Sequence, residues 1–342
     1  MYQKIKIEDA IGLKLAHDIT RIVRGGFKGA AFRKGQIIRK SDIPKFLDLG
    51  KKQIYVLKPS KGEIHEDDAA RRIAPGIAGK GIYLRGPREG KIDFLAKTSG
   101  LLKVNVSAVR KINSVGSIIL ATRHNHSCVC PREVVGGTRA IPLLIRESQI
   151  QKVEEICRKS ALVLEIIPFV KKKVGILVTG SEIFENRIKD QSAQTVTEKV
   201  EALGSKVIRK KIVPDDPLRI AEEIRRMKSA GCQVIVTTGG LSVDPDDVTL
   251  AGIRKSGARV VFYGVPVLPG SMSVLAHLGK TTILGAPACV VHDPTTALDL
   301  FLPRVLADDP VSSNDIPPMG HGGLCLKCRE CRYPICPFGK NG

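Results

Sequence analysis

Between Lys173 and Leu306, short apolar runs rich in Val and Ile alternate with longer stretches whose apolar positions recur every three or four residues. The runs predict strands near Val174–Val178, Lys206–Val213, Val234–Thr237, Arg259–Tyr263 and Thr282–Leu284. The periodic stretches predict helices near Ser192–Leu203, Leu218–Ser229, Asp246–Lys255 and Pro294–Leu306, with Ile220, Ile224 and Met227 on one inner face. Strands alternating with helices specify an α/β fold, a mainly parallel sheet in a three-layer α/β/α arrangement over residues 171–308.

Residues 1–60 read as a small α+β unit. Strands are expected at Asp18–Val23, Lys34–Ile38 and Gln53–Leu57, with a helix from Ser41 that stops at Gly50. Residues 61–170 form a β-rich middle region. A helix containing Glu66–Ile73 is followed by Gly/Pro punctuation at Pro75-Gly76 and Gly86-Pro87. Strand-like runs come next at Leu101–Val106, Ser117–Thr122 and Thr138–Ile145. A helix at Arg146–Lys159 closes the region, with Ile150, Val153 and Ile156 on one face. Residues 309–342 combine a Pro/Ser/Asn linker with a cysteine-rich tail, and truncation after Pro310 is expected to leave the sheet domain folded.

With 342 residues, several domains each able to bury a core are expected. No apolar run reaches the ~18–20 residues of a membrane span. The start, Met-Tyr-Gln-Lys-Ile-Lys-Ile-Glu, lacks a signal-peptide core. Together with nine cysteines, which suit metal or redox use in a reducing compartment, this places the protein in the cytoplasm. A net charge of +21 favours anionic ligands. Nucleic acid is not the expected partner, because basic residues are spread along the chain and only 4% of residues are aromatic.

The chemistry concentrates where strands end. Val234-Ile-Val-Thr-Thr-Gly-Gly-Leu-Ser-Val-Asp-Pro-Asp-Asp247 is an apolar run closing on Gly239-Gly240, then a Ser/Asp-rich turn. Glycines let backbone N–H groups approach an anion, and a following helix N-terminus adds a favourable dipole. Asp244, Asp246 and Asp247 would repel a bare phosphate, so a bridging divalent cation such as Mg²⁺ is expected. Other strand ends carry Val174-Gly-Ile-Leu-Val-Thr-Gly-Ser-Glu182, Val213-Pro-Asp-Asp-Pro217, Val265-Pro-Val-Leu-Pro-Gly270 and Ile283-Leu-Gly-Ala-Pro287.

This ordered series resembles the molybdopterin-binding domain of MogA-type adenylyltransferases, MoeA-type molybdenumtransferases and gephyrin, over roughly Lys173 to Ala307. By that resemblance Thr179, Gly180, Ser181 and Glu182 form the first strand-end loop, and Asp190 and Ser192 the turn that contacts the pterin. Thr237, Thr238, Gly239, Gly240 and Ser242 would hold the terminal phosphate, with Pro269, Gly270, Gly285 and Pro287 completing the pocket. Asp215, Asp247 and Glu182 would serve metal and molybdate chemistry. The chain departs from the pattern at Gln191, Leu268, Cys289 and Val290, and the middle region lacks the Thr-Gly-Ala-Pro loop of MoeA-type enzymes. The resemblance implies a homo-oligomer that acts in molybdenum-cofactor biosynthesis on molybdopterin or its adenylated form, with Mg²⁺ and molybdate. MoeA-like molybdenum insertion is the first reading. A non-catalytic carrier that serves a molybdoenzyme or other cofactor-pathway proteins is the second, and a CinA-like nucleotide pyrophosphatase the third.

Two further clusters carry candidate ligands. Cys325, Cys328, Cys331 and Cys336, the last followed by Pro337, lie one residue from ferredoxin-type spacing, so zinc or a [4Fe–4S] cluster is expected. His124, His126, Cys128 and Cys130 fall on one face if their segment is a strand.

Overall fold

The computed structural model describes residues 2–13, 15–22, 28–57, 61–141, 143–241 and 248–340. Ser242, Asp244, Asp246 and Asp247 of the sequence reading lie outside the described residues. The chain divides into two compact units.

The first unit comprises Met1–Ala96, Val104–Arg123 and Glu133–Glu165. Its antiparallel pairs Tyr2–Lys6 with Gln53–Leu57, and Ile19–Ile22 with Lys28–Phe32, enclose Ile7, Leu15, Phe32 and Phe46. Phe32 stacks on Phe46 at 3.9 Å between centroids. The strand expected at Lys34–Ile38 is replaced by Lys28–Phe32. Lys34 and Gly35 turn instead, because the Lys34 N–H goes to Asp18 Oδ1 (2.7 Å) and the Gly35 N–H to the Leu15 carbonyl (2.8 Å).

A four-stranded antiparallel sheet follows, in the order Ile82–Arg88, Lys91–Ala96, Val134–Ala140, Ile118–Thr122. The run expected as one strand at Thr138–Ile145 is split between Val134–Ala140 and Leu144–Arg146. Val106 starts a helix to Asn113 rather than ending a strand, since Asn105 Oδ1 caps the Ala108 N–H at 3.0 Å. The helix from Glu66 runs through Pro75-Gly76 to Ile77. Gly76 is where Cys157 of helix Glu147–Lys159 comes close, for a Cβ there would sit 3.2 Å from the Cys157 Cβ. Cys157, not Ile156, completes the buried face with Ile150 and Val153.

His65 Nε2 donates to the Ala16 carbonyl (3.0 Å), leaving Nδ1 to accept from Lys34 Nζ (2.7 Å) and the Asp67 N–H (3.1 Å). Burial first, and then Lys34, hold its pKa below the usual imidazole value. Beside it, burial lifts the Glu66 carboxyl to about 7, helped by Asp67 and opposed by Arg139 and Lys34.

The second unit comprises Lys97–Lys103, His124–Arg132 and Ile166–Gly342. Its sheet contains β1 (Lys173–Thr179), β2 (Lys206–Val213), β3 (Val234–Thr238), β4 (Arg259–Tyr263), β5 (Val274–Leu278) and β6 (Thr281–Ala286). The spatial order is β2-β1-β3-β6-β5-β4, with β2, β1, β3 and β6 parallel and β5 antiparallel to both its neighbours. The predicted strands are present, and β5 is added to them. Besides a single helical turn at Ser181–Phe184, the helices are α1 (Ser192–Ala202), α2 (Pro217–Ser229), α3 (Thr249–Lys255) and α4 (Ala297–Leu306). Val174, Ile176 and Val178 face a core with Val196, Val200, Leu298 and Phe301. Leu177 and Ile235 face the opposite one, with Ile220, Ile224, Met227 and Ile253. Helix α4 begins at Ala297 and not at Pro294, because Thr296 Oγ1 caps the Leu298 N–H while Asp299 accepts the Thr296 N–H.

The segment after Asp308 is folded onto this core. Ile316, Met319 and Phe338 are all buried in it, and the Tyr333 hydroxyl donates to the Asp299 carbonyl at 2.7 Å. A removable tail does not fit this packing. Among the described residues, no helix is long and apolar enough to cross a membrane.

Two outcomes follow from these observations. Glu66 ionises more readily once unfolded, so its contribution to stability is full below about 4.5 and is lost as pH rises to about 7. Thermal midpoints of the parent should fall across that window relative to Glu66→Gln, whereas parallel curves would refute the assignment. Truncation after Pro310 removes three buried apolar side chains worth about 1.5–3 kcal/mol each. Denaturant unfolding should show a loss of at least about 4 kcal/mol, and an unchanged midpoint would contradict the packing.

Candidate functional site

Strand β1 lies between β2 and β3, so the chain leaves it first to one side and then to the other. Such a reversal leaves a crevice outside the carboxyl ends of the strands. Val178 of β1 is in register with Thr238 of β3, and Thr179 with Val213 of β2. Three loops therefore meet at one edge: Gly180–Ser181, Pro214–Asp216 and Gly239–Leu241.

The first two are clamped reciprocally. The Ser181 N–H donates to Asp215 Oδ2 (2.7 Å), and the Asp215 N–H donates to Ser181 Oγ (3.1 Å). Asp216 is otherwise employed, its Oδ1 accepting from the Leu218 and Arg219 N–H groups at the start of α2. Of the two adjacent aspartates, only Asp215 faces the junction.

Gly239 and Gly240 have φ of +85° and +54°. A Cβ on Gly239 would lie 2.1 Å from the Thr179 carbonyl oxygen. One on Gly240 would lie 2.5 Å from Thr249 Oγ1 and 3.4 Å from Asp215 Oδ1. The Thr179 hydroxyl contacts the Thr238 carbonyl (3.2 Å) and Thr249 Oγ1 (2.8 Å), which in turn reaches the Gly239 carbonyl (3.1 Å). Two hydroxyl protons serve these three contacts. Thr249 was missed by sequence reasoning, and its only signal was a polar residue at the foot of the helix after the glycine turn.

Asp190 accepts from the Ser192 N–H (2.9 Å), the Ser192 hydroxyl (2.6 Å) and the Ala193 N–H (3.2 Å). With its proton so used, Ser192 Oγ accepts from Thr238 Oγ1 at 2.8 Å, which ties this turn to the end of β3. Glu182 is exposed, and its Oε1 lies 2.9 Å from where a Gly180 Cβ would be. Thr237 points away from Thr238, as strand alternation requires. Its fully buried hydroxyl finds no partner among the described residues.

The remaining predicted residues lie along the same edge, apart from this hydrogen-bond network. Pro269 and Gly270 are in the β4–β5 loop, where a Cβ on Gly270 would meet the Ala297 nitrogen at 2.5 Å. Gly285 lets Leu241 and Val274 close over β6, and Pro287 precedes the short 3₁₀ helix Ala288–Val291. Leu268 is engaged by backbone: its N–H donates to the Gly323 carbonyl, and its carbonyl accepts from the Cys325 N–H, each at 2.8 Å.

Among the described residues, no three His, Cys, Asp or Glu side chains converge as ligands of one ion. The His124–Cys130 segment is a turn followed by the two-residue strand Cys128–Val129, so its His and Cys side chains do not share one strand face. His126 instead contacts Lys103 Nζ at 3.0 Å. Burial pushes the Cys128 thiol up to about 11.

Residues 175–307 match a family model described as a probable molybdopterin binding domain. Residues 4–58 match a model described only as a domain of unknown function. The molybdopterin molybdenumtransferase of Synechococcus elongatus is 25% identical over 176 residues, 48% of this chain and 44% of the relative. A CinA-like protein of Mycobacterium leprae is 37% identical over 86 residues, 25% of this chain and 20% of the relative. The chain thus spans less than half the length of these curated relatives. Among solved structures, the molybdopterin biosynthesis enzyme MoaB from Thermus thermophilus is similar at 24% identity and a TM-score of 0.33, covering 39% of this chain and 91% of that one. CinA from Thermoplasma acidophilum is similar at 17% identity and a TM-score of 0.36, covering 40% and 98%.

The close approach at Gly239 can be separated from its backbone angle. Gly204 has a similar φ of +81°, but nothing lies within 4 Å of where a Cβ would stand. Gly204→Ala should cost only the left-handed penalty of about 1–2 kcal/mol, and Gly239→Ala about 3 kcal/mol or more. Equal losses in denaturant unfolding would remove the contact between β3 and the Thr179 carbonyl.

Proposed function

We propose that residues 175–307 bind molybdopterin, with its phosphate on the Gly239-Gly240 turn and the Thr179–Ser181 loop, and that the protein inserts molybdenum into the adenylated form. The observation that carries this reading is the junction of Thr179, Asp215, Thr238 and the side-chain-free turn at Gly239-Gly240, at the point where strand order reverses. The backbone N–H groups of that turn suit phosphate oxygens. Asp190 and Ser192 would orient the pterin, with Pro269, Gly270, Gly285 and Pro287 shaping the rest of the edge.

The donor set also suits Mg²⁺. Asp215 is already oriented by the Ser181 N–H, and Asp247 and Glu182 would supply further carboxylate oxygens. Once bound, Mg²⁺ would offset charge on the phosphoanhydride and favour release of AMP. The chain itself holds the phosphates, fixes the Asp215 carboxylate, and presents the pterin sulfurs to molybdate as substrate. The cysteine-rich tail adds a metal centre, zinc or [4Fe–4S], to this reading.

A carrier reading draws support from Leu268, whose backbone is occupied by residues 323–325 and whose side chain stands where the resembled family has lysine. Similarity to CinA-like proteins supports a nucleotide pyrophosphatase as the third reading.

Incubation with adenylated molybdopterin, Mg²⁺ and molybdate decides among them. Insertion predicts AMP release coupled to molybdenum uptake, with Asp215→Asn slowing turnover at least about 100-fold and weakening binding only several-fold. Tight binding without AMP release would establish the carrier instead, and equal hydrolysis of ordinary nucleotide pyrophosphates the third reading.

A further inference from the structure

The tail cysteines are a sequence motif that the sheet edge does not absorb. The chain around them forms a closed loop. Leu268 pairs with Gly323 and Cys325 at its start, and the Gly339 N–H donates to the Gly322 carbonyl (2.9 Å) at its end. Phe338 is 3% exposed in the core that holds Leu300, and the half-buried Tyr333 is tied to Asp299. Cys325, Cys328, Cys331 and Cys336 all line one cavity of about 180 Å³ inside this loop.

That void separates the two chemistries the spacing allows. In a tetrathiolate zinc site, four sulfurs at ~2.3 Å from the metal stand ~3.8 Å apart, in contact, with no cavity between them. Here the four cysteines surround space, and no three converge on a point. A polynuclear cluster carries its own inorganic sulfides and needs its thiolates spread around it. The Cys-x₂-Cys-x₂-Cys spacing of Cys325, Cys328 and Cys331 is that of the first three ligands in two-cluster ferredoxins, where the fourth cysteine of the run serves the second cluster. Here Cys336 lines the same cavity as the other three and takes the fourth place. The surroundings suit such a group: Tyr333, Phe338 and Leu324 supply apolar wall, and the Thr295 hydroxyl lies 3.2 Å from Cys331 Sγ. Lys327 and Arg332 line the same cavity and would offset the net negative charge of a thiolate-ligated cluster.

We propose that Cys325, Cys328, Cys331 and Cys336 ligate a [4Fe–4S] cluster. The proposal rests on the tail being a metal centre and is independent of what the sheet edge binds. Cys328 and Cys331 are exposed, so their replacement leaves the core intact, whereas Cys130, also exposed, lies outside the loop.

The full chain, purified without oxygen and reconstituted with ferrous iron and sulfide, should hold about four irons and four acid-labile sulfides with broad visible absorbance. Cys328→Ser and Cys331→Ser should each lower iron and sulfide at least tenfold with an unchanged circular dichroism spectrum, and Cys130→Ser should leave both at the parent level. One zinc per chain, with no iron retained on reconstitution, would overturn the cluster and keep the metal centre. Four alkylatable tail thiols with no bound metal would overturn both. Iron lost equally from Cys130→Ser would show that the loop is not the site.

Discussion

The carboxyl edge of the sheet depends on a carbonyl oxygen occupying the place of a side chain. Thr179 O sits 2.1 Å from where a Gly239 Cβ would be, so β3 can turn sharply against β1 only with glycine there. That approach brings Thr179 Oγ1, the Gly239 carbonyl and Thr249 Oγ1 within hydrogen-bond reach. It also sets Gly240 beside Asp215, whose own position is fixed by Ser181. The tight turn at Gly239-Gly240 and the carboxylate next to it are thus consequences of one backbone contact between parallel strands.

The centre of the sheet was legible because β1 and β3 are buried on both faces and read as unbroken apolar runs. Val234-Ile-Val and Gly175-Ile-Leu-Val carry that signal plainly. Strand β5 was missed because Val274–Leu278 includes His277 and follows a loop of Pro and Gly, so neither run nor alternation stands out. In the first unit, antiparallel strands have one solvated face and short lengths, and local capping competes with the pattern. Asn105 diverts a β-branched run into a helix, and Asp18 diverts the one at Lys34, by side-chain hydrogen bonds that periodicity does not register.

Candidate site residues were legible as strand-end motifs, but their division of labour was not. Asp215 and Asp216 are chemically identical neighbours, and only the geometry gives one to a helix cap and the other to the junction. Thr237 and Thr238 differ likewise, one hydroxyl buried with no partner among the described residues and the other tied to Ser192, because alternate strand residues face opposite ways. Thr249, distant in sequence from Thr179, enters only through the glycine turn that folds it back.

Composition marked residues 309–342 as linker and tail, and a single buried guanidinium reverses that expectation. Arg304, 5% exposed on α4, donates from Nε to Asp309 (2.6 Å) and from one Nη to the Pro310 carbonyl (2.6 Å) and Asp315 (3.3 Å). Arginine's planar fork can hold several acceptors of one turn at once, where lysine could not fix their directions. Lys103 Nζ reaches Asp309 from the other side at 2.7 Å, and desolvation of that carboxylate is overcome by these two cations, which keep its pKa below the usual range. Burial and the same cations push His126 down to about 3, so its ring stays neutral and accepts from Lys103. Removing one partner from such a network strands a buried charge at about 3–5 kcal/mol, far more than an exposed ion pair contributes. A polar, proline-rich stretch is therefore held as firmly as a core element, and the loop of cysteines beyond it inherits a fixed start.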